Sequence, residues 1–305
     1  MAPANITVDG NFTSKLNQEL SAPPAGRIEL FSALNIFLSI TASLGNLLIL
    51  IALHKVSSIH PPTKLFFRCL AVTDLGVGVF AQPLYVAFIM SPLLNMNVHD
   101  IFYVLQVALF LNWCLCGVSL LTSAAISVDR LLALLLGLRY RHVVTLRRVH
   151  AVIICFWLIG ALAGLIRMKE IDLALNGASV TLTLCLVTMS FCYTTIHIKL
   201  RHQQAQLHNN VAQGPIGIGG GSSLNIARYK KTVSSILWVQ LALVTCYVPL
   251  GIVVLLSANE ISYVVWRATE TLFLLNSSLN PILYCWKIRE VKQAVRDTIR
   301  QFYCF

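Results

Sequence analysis

Seven long apolar stretches constrain what this chain can fold into. Five of them contain no charged residue, and two are each interrupted by one acid, Asp74 or Glu270. A membrane-spanning helix needs about 20 apolar residues, and soluble domains carry roughly a quarter charged residues, whereas this chain has 11%. The sequence therefore predicts an all-α membrane protein, a seven-helix bundle with spans at 30–53, 69–98, 101–128, 151–166, 173–196, 232–259 and 268–286.

The basic residues predict the orientation of this bundle. Eighteen of the 23 Lys and Arg residues fall in the segments on one side of the seven spans. Such segments stay in the cytoplasm, so we expect a multi-pass cell-membrane protein with its N-terminus outside and its C-terminus inside. The net charge of +11 follows from this topology, and no nucleic-acid partner is needed to explain it.

The first two regions of the chain are an outer tail and the bundle itself. Residues 1–27 form a polar tail, predicted to be extracellular, with glycosylation sequons at Asn5 and Asn11. This tail lacks the basic and apolar regions of a cleavable signal peptide. Residues 28–286 then form the seven-span domain.

Two cytoplasmic segments have distinct compositions. Residues 202–226 include a Gly- and Ser-rich run, which predicts a flexible linker. Residues 287–305 are predicted to form an amphipathic helix on the inner leaflet, because basic residues lie opposite an apolar stripe. Cys304 at its end is either palmitoylated or a free thiol. The stripe consists of Ile288, Val291, Val295, Ile299 and Phe302.

A proline inside the last stretch predicts a bend. Pro281 cannot donate a backbone hydrogen bond, so it frees a carbonyl group and kinks the helix. Asn276, Ser277 and Asn280 lie on the same helix, and we expect these polar neighbours to re-satisfy the freed group. Such a bend suits a helix that moves.

Each of the seven stretches also carries a short motif, which in the third follows directly at its end. In order, these are Gly45-Asn46, Leu70 to Asp74, Asp129-Arg130, Trp157, Tyr193, Cys246 to Pro249 and Asn280 to Tyr284. Together, in this order, they resemble a rhodopsin-like (class A) G-protein-coupled receptor over the whole seven-span length. The resemblance implies a non-enzymatic receptor that needs no cofactor. It also implies an extracellular ligand, a heterotrimeric G protein, and arrestin and receptor kinase as further partners.

The acid of the second span is a candidate ion site. An ionised carboxylate at membrane depth costs roughly 3 kcal/mol unless it is paired, so Asp74 is functional by default. Oxygen ligands suit a hard cation. The alternative is a polar cluster that joins spans two, three and seven through water. By resemblance, the residues around a sodium ion are Asp74, Ser119, Asn276, Ser277 and Asn280.

The resemblance also implies an activation switch at the inner end of span three. Asp129 is expected to hold Arg130 in an ion pair at rest, and release of Arg130 opens a crevice for the C-terminal helix of a G protein. In many members an acid in span six restrains this arginine, but residues 227–231 read ARYKK here. This predicts easy activation and high basal signalling. The switch set is Asp129, Arg130, Tyr193, Pro249, Asn280, Pro281 and Tyr284.

Three departures from the family pattern narrow the branch. Leu105 stands where most members have a disulfide-bonded cysteine, and Cys185 stands where span five usually has a proline. The predicted outer loops contain no cysteine, so we expect no disulfide, and the second outer loop is very short. These features resemble the group that holds the melanocortin, cannabinoid, lysophospholipid and adenosine receptors.

The ligand pocket is expected in the outer half of the bundle. Asn112 stands where amine receptors have an aspartate, which disfavours a biogenic amine, and Tyr247 replaces the usual tryptophan above Pro249. Glu270 either meets a cationic ligand or pairs with Arg267 one turn away. Chemosensory, peptide, nucleoside and lipid ligands stay open. The pocket candidates are Asn112, Trp113, Cys116, Tyr247, Glu270 and Phe273.

A seven-span transporter or channel is the alternative class. Transporters usually show repeated halves, which this sequence does not. A retinal protein needs a lysine within span seven, and no lysine lies between Lys231 and Lys287. No metal cluster or nucleophile–base pair appears in the spans to suggest an enzyme.

Overall fold

The computed structural model describes residues 24–56, 59–213, 241–253, 262–287 and 289–303, and the regular structure within them is all helical. Five of these helices are long and apolar enough to cross a membrane, and a shorter apolar helix follows in the sixth stretch. The predicted helical bundle class is confirmed. The helices that correspond to the seven predicted stretches, numbered below as spans one to seven, are Ala25–Lys55, Pro61–Met90, Val98–Leu136, Leu146–Lys169, Ile171–Gln213, Leu241–Val253 and Tyr263–Lys287.

Span three is the central helix of the bundle. It packs against spans two, four and five. Most of its buried side chains are apolar. On the outer faces of spans four and five, Leu158, Leu184 and Phe191 are each more than 60% exposed. Such apolar surface is stable only against lipid.

Span two changes its winding in its outer half. A π-helical turn at Val77–Ala81 precedes Pro83, whose ring cannot complete the regular hydrogen-bond ladder. Span one packs closely on this turn, because Ser39 Oγ donates to the Gly78 carbonyl at 2.6 Å. A Cβ at Gly78 would lie 2.7 Å from Ser43 Oγ. The turn determines the direction in which the outer side chains of span two point.

Spans three and four cross at two glycines. A Cβ at Gly160 would lie 2.7 Å from Val118 Cγ2 and 2.9 Å from the Cys114 carbonyl oxygen. A Cβ at Gly164 would lie 2.8 Å from the Phe110 ring. Small residues four apart therefore allow the two backbones to approach closely.

The inner loops differ from expectation in one place. Span five continues as helix to Gln213, so the prediction of a flexible linker from residue 202 was wrong for residues 202–213. Most of these residues are polar, but they include no Gly or Pro, so the helix can continue through them. The rest of the predicted linker lies outside the described residues, as do Asn5, Asn11 and Cys304.

A final helix, Arg289–Tyr303, packs beneath span one. Val291 and Val295 are buried in the inner apolar cluster. Lys55 Nζ at the end of span one donates to Thr298 Oγ1 at 3.1 Å. The predicted apolar stripe therefore faces the bundle at these two valines.

Candidate functional site

A fully buried carboxylate lies at the middle of the bundle. Asp74 accepts hydrogen bonds from Ser119 Oγ at 3.2 Å, Ser277 Oγ at 3.0 Å and Asn280 Nδ2 at 2.7 Å. These partners come from spans three and seven, so one carboxylate connects three helices. Four of the five residues of the sequence-predicted ion site are in direct contact.

The fifth predicted ion ligand, Asn276, precedes Ser277 in span seven and is also buried. It is 1% exposed, and neither of its side-chain polar atoms has a partner within the described residues. A buried polar group left unpaired costs about 1–3 kcal/mol. The Asp74 carboxylate and the two serine hydroxyls that contact it are oxygen ligands of the kind that suits a small hard cation.

The carbonyl group that Pro281 frees in span seven receives its hydrogen bond from span one. The residue four before Pro281 is Ser277, whose carbonyl has lost its helical donor. Asn46 Nδ2 donates to this carbonyl at 3.0 Å. A Cβ at Gly45 would lie only 3.0 Å from the proline ring. The expectation that polar residues of span seven itself satisfy this carbonyl was wrong, because Asn46 supplies the donor; the Gly-Asn motif of span one was the available signal.

The inner end of span three carries an ion pair. Arg130 Nη2 lies 2.9 Å from Asp129 Oδ2. Asp129 is buried and also accepts hydrogen bonds from Thr63 Oγ1 at 2.8 Å and from Tyr140 Oη at 2.5 Å. The sequence reasoning missed Thr63 and Tyr140, because their approach to Asp129 depends on how the short helix Tyr140–Val143 folds back.

The remaining switch residues are more scattered. Tyr193 packs on the inner cluster between spans three and five, next to Leu131 and Ile196. Pro249 lies within the helix Leu241–Val253. The side chain of Tyr284 lies outside the part of the chain that the structure describes.

The predicted pocket residues divide into four groups. Tyr247 packs edge-on against Phe273 with ring centroids 4.9 Å apart, and Phe273 also packs against the cluster that contains the buried Cys116. Asn112 Nδ2 donates to the Ala108 carbonyl, and its buried Oδ1 has no partner among the described residues. The other two groups are centred on Trp113 and on Glu270.

Two arginines lie at these outer positions. Arg167 stacks over Trp113, with its guanidinium carbon 5.8 Å from the ring centroid. Arg267 Nη1 lies 2.8 Å from Glu270 Oε2, and Tyr85 Oη donates to the same oxygen. Of the two interactions left open for Glu270, the structure shows the ion pair. Tyr85 was missed, because nothing in its local sequence indicates its partner.

No disulfide bond forms between cysteines in the described part of the chain. Its eight cysteines are free, and seven of them are buried or half-buried. Cys185 and Cys246 lie in one apolar cluster with Tyr247. The sequence prediction of a chain without disulfides concerns these residues and Cys304, which is outside the described part.

Comparison with known proteins identifies the family. The model of the 7 transmembrane receptor (rhodopsin family) matches residues 45–171 and 166–284. The chain therefore belongs to the rhodopsin-like family of G-protein-coupled receptors, as its motifs predicted. The matching family model is that of a receptor, so it does not support the alternative class of a seven-span transporter or channel.

Individual relatives agree with the predicted branch. Adenosine receptor A3 of Ovis aries is 27% identical over 295 residues, covering 86% of this chain and 87% of the relative. Adenosine receptor A3 of Bos taurus is 26% identical over 291 residues, covering 86% and 87%. Melanocortin receptor 4 of Danio rerio is 25% identical over 283 residues, covering 85% and 81%. The relation to the adenosine and melanocortin group is confirmed.

Proposed function

We propose that this receptor binds an extracellular ligand and activates a heterotrimeric G protein by helix rearrangement around Arg130. The observation that supports this most is the fixed position of Asp129. Thr63 and Tyr140 hold its carboxylate from two sides, and its remaining interaction is with Arg130. Arg130 is thus held at the cytoplasmic end of the central span, where a partner would dock.

Activation in this proposal is a shift between two arrangements of the helices. At rest Asp129 keeps Arg130 turned toward spans two and three. In the active arrangement Arg130 swings free and meets the C-terminal helix of the G protein, with Tyr193 and Tyr284 closing on it. A ligand favours this arrangement only by its differential affinity for the two states.

The kinked span seven connects the ligand side to the switch. Asn46 satisfies the carbonyl freed by Pro281, so the bend is stable at rest without being rigid. Pro249 is the corresponding hinge in span six. The outer pocket, with Asn112, Trp113, Cys116, Tyr247, Glu270 and Phe273, lies above both prolines.

A sodium ion is the proposed allosteric ligand of the central cluster. Asp74, Ser119, Asn276, Ser277 and Asn280 would hold it, and the buried unpaired amide of Asn276 supports this choice. The ion would supply positive charge between spans two, three and seven. Collapse of the cluster on activation would expel it, so sodium would stabilise the resting state.

Further parts of the proposal concern the membrane surfaces. The N-terminus lies outside with glycans at Asn5 and Asn11, and the C-terminus lies inside with palmitate on Cys304. Arrestin and a receptor kinase would act on the cytoplasmic side. The Lys and Arg distribution supports this orientation.

Signalling without added ligand tests the switch in transfected cells. We expect wild-type receptor to activate a G protein above mock level and Arg130→Ala to return the signal to that level. Tyr140→Phe should raise the signal several-fold, because a hydrogen bond to a charged group contributes about 1.5–3 kcal/mol to the resting state.

Arg139→Ala is the matched control, since Arg139 is exposed on the same inner surface and should leave the signal unchanged. Surface expression is measured for each variant. Equal signals from Arg130→Ala and wild type at equal expression would refute the role of Arg130.

A further inference from the structure

The Arg267 side chain, at the outer end of span seven, is surrounded by aromatic rings and a carboxylate. The residue is only 5% exposed. Its guanidinium carbon lies 5.2 Å from the ring centroids of Phe88 and Tyr263 and 5.9 Å from that of Tyr85. Its Nη1 reaches the Glu270 carboxylate at 2.8 Å.

Three aromatic rings and a carboxylate around one cation form a recognition site. Ring faces attract guanidinium and quaternary ammonium groups, most strongly where water is excluded. A buried charge is stable only when it is paired, and Glu270 supplies that pairing. Spans two and seven contribute equally, so the site depends on the tertiary fold.

The carboxylate of this site remains accessible on one side. The Glu270 side chain is 23% exposed, against 6% for Arg267. Tyr85 and Arg267 both donate to Oε2. Within the described residues Oε1 receives no hydrogen bond, so an incoming cation can reach the Glu270 carboxylate from its exposed side before it replaces Arg267.

Deeper polar groups next to this site lack partners. Gln82 is 0% exposed and lies one helical turn below Tyr85 on span two, yet neither of its amide atoms is hydrogen-bonded within the described residues. On span one, Ser32 Oγ and Asn35 Oδ1 are also buried and unpaired there. Asn35 Nδ2 donates to Thr271, the neighbour of Glu270. Buried polar groups normally find partners, so this region fits a hydrogen-bonding molecule.

We propose that Glu270, Tyr85, Phe88 and Tyr263 form the cation subsite of the ligand pocket, and that Arg267 fills it in the ligand-free receptor. The ligand is a molecule with a guanidinium or ammonium group and neutral hydrogen-bonding groups behind it. It binds by replacing Arg267, and its neutral part pairs with Gln82 and Asn35. This proposal rests on the receptor function and assigns a ligand chemistry to it.

Arg267 can leave the subsite without unfolding the helix. The described helix begins at Tyr263. Arg267 is four residues further along, so its Cα is about 6 Å from the start of the helix. A long arginine side chain can turn from there toward water. The ligand then replaces Arg267 as the contact between spans two and seven. Occupancy of the subsite is thereby linked to the position of span seven.

Chemical rescue of an Arg267 variant tests the subsite. In purified receptor in nanodiscs, Arg267→Met keeps the apolar stem and vacates the cage, and it should lower the thermal midpoint because Glu270 loses its partner. Millimolar ethylguanidinium chloride should restore the midpoint in a saturable manner, whereas potassium chloride at the same concentration should not. The apparent affinity should be at least tenfold higher than in wild type, where Arg267 competes.

Two matched variants make the rescue specific. Arg167→Met removes the other ring-stacked arginine, which lies over Trp113, and ethylguanidinium should not rescue it. Adding Glu270→Gln to Arg267→Met should abolish the rescue. Absence of rescue in folded Arg267→Met, or equal rescue of Arg167→Met, would overturn the proposal.

Wild-type receptor provides the test if Arg267→Met does not fold. Ethylguanidinium should then stabilise wild type weakly and saturably but not Glu270→Gln, and equal responses of the two would refute the subsite. These readouts measure binding without a G protein. Failure of G-protein activation with intact rescue would therefore refute the receptor mechanism alone, and the converse would refute only the subsite.

Discussion

At the scale of single residues, one buried carboxylate, Asp74, accepts hydrogen bonds from Ser119, Ser277 and Asn280. Family resemblance named these four residues, and their contact has a physical reason, since a carboxylate at membrane depth needs hydrogen-bond donors. Asn46 and Thr63 were not assigned partners. Each contacts a group more than 60 residues away in sequence, and hydrophobic periodicity does not determine such pairs.

The carboxylate of Asp74 gives the first prediction. Sodium should raise the thermal midpoint of purified receptor relative to potassium at equal ionic strength, because an ion that binds only the folded state stabilises it. The rise should be on the order of 2 °C or more. Asp74→Asn should remove this sodium dependence by deleting the charge that the ion needs.

Asp172→Asn is the control, since Asp172 lies exposed in the first turn of span five and should leave the sodium effect intact. An unchanged sodium effect in Asp74→Asn would exclude the central cluster as the ion site.

At the scale of helices, the apolar stretches located the spans but not their ends or contact faces. Span five continues as helix to Gln213 although residues 202–213 are mostly polar, because polar residues such as Gln are good helix formers. The close crossing of spans three and four at Gly160 and Gly164 was also missed. The spacing of these two glycines was the available signal.

The crossing gives the second prediction. Gly160→Ala should lower the free energy of unfolding by about 1–3 kcal/mol, because its methyl group would overlap Val118 and the Cys114 carbonyl. Gly177→Ala should not destabilise, since a Cβ there meets nothing within 4 Å and alanine favours helix.

Thermal unfolding of both variants in the same detergent checks this. Equal midpoints for the two variants would show that spans three and four are not closely packed at Gly160.

At the scale of the whole molecule, composition and motif order together predicted the family, and the ligand was beyond them. The protein class follows from composition and motif order, and both can be observed directly in a single sequence. Ligand recognition depends on the few outer side chains that meet across spans, such as Tyr85 and Glu270, and these contacts exist only in the fold.

The predicted orientation is tested with epitope tags at the two ends. On intact cells an antibody should reach the N-terminal tag and not the C-terminal tag, which should become accessible after permeabilisation. This follows from the excess of Lys and Arg on one side of the spans. Accessibility of both tags on intact cells would contradict an odd number of crossings.

Nucleotide exchange with purified components tests the central mechanism most directly. Wild-type receptor in nanodiscs is mixed with each main class of heterotrimeric G protein, and uptake of a non-hydrolysable GTP analogue is measured. We predict faster uptake than with empty nanodiscs for at least one class, and loss of this acceleration in Arg130→Ala. No acceleration for any class, or equal acceleration by the variant, would contradict the mechanism.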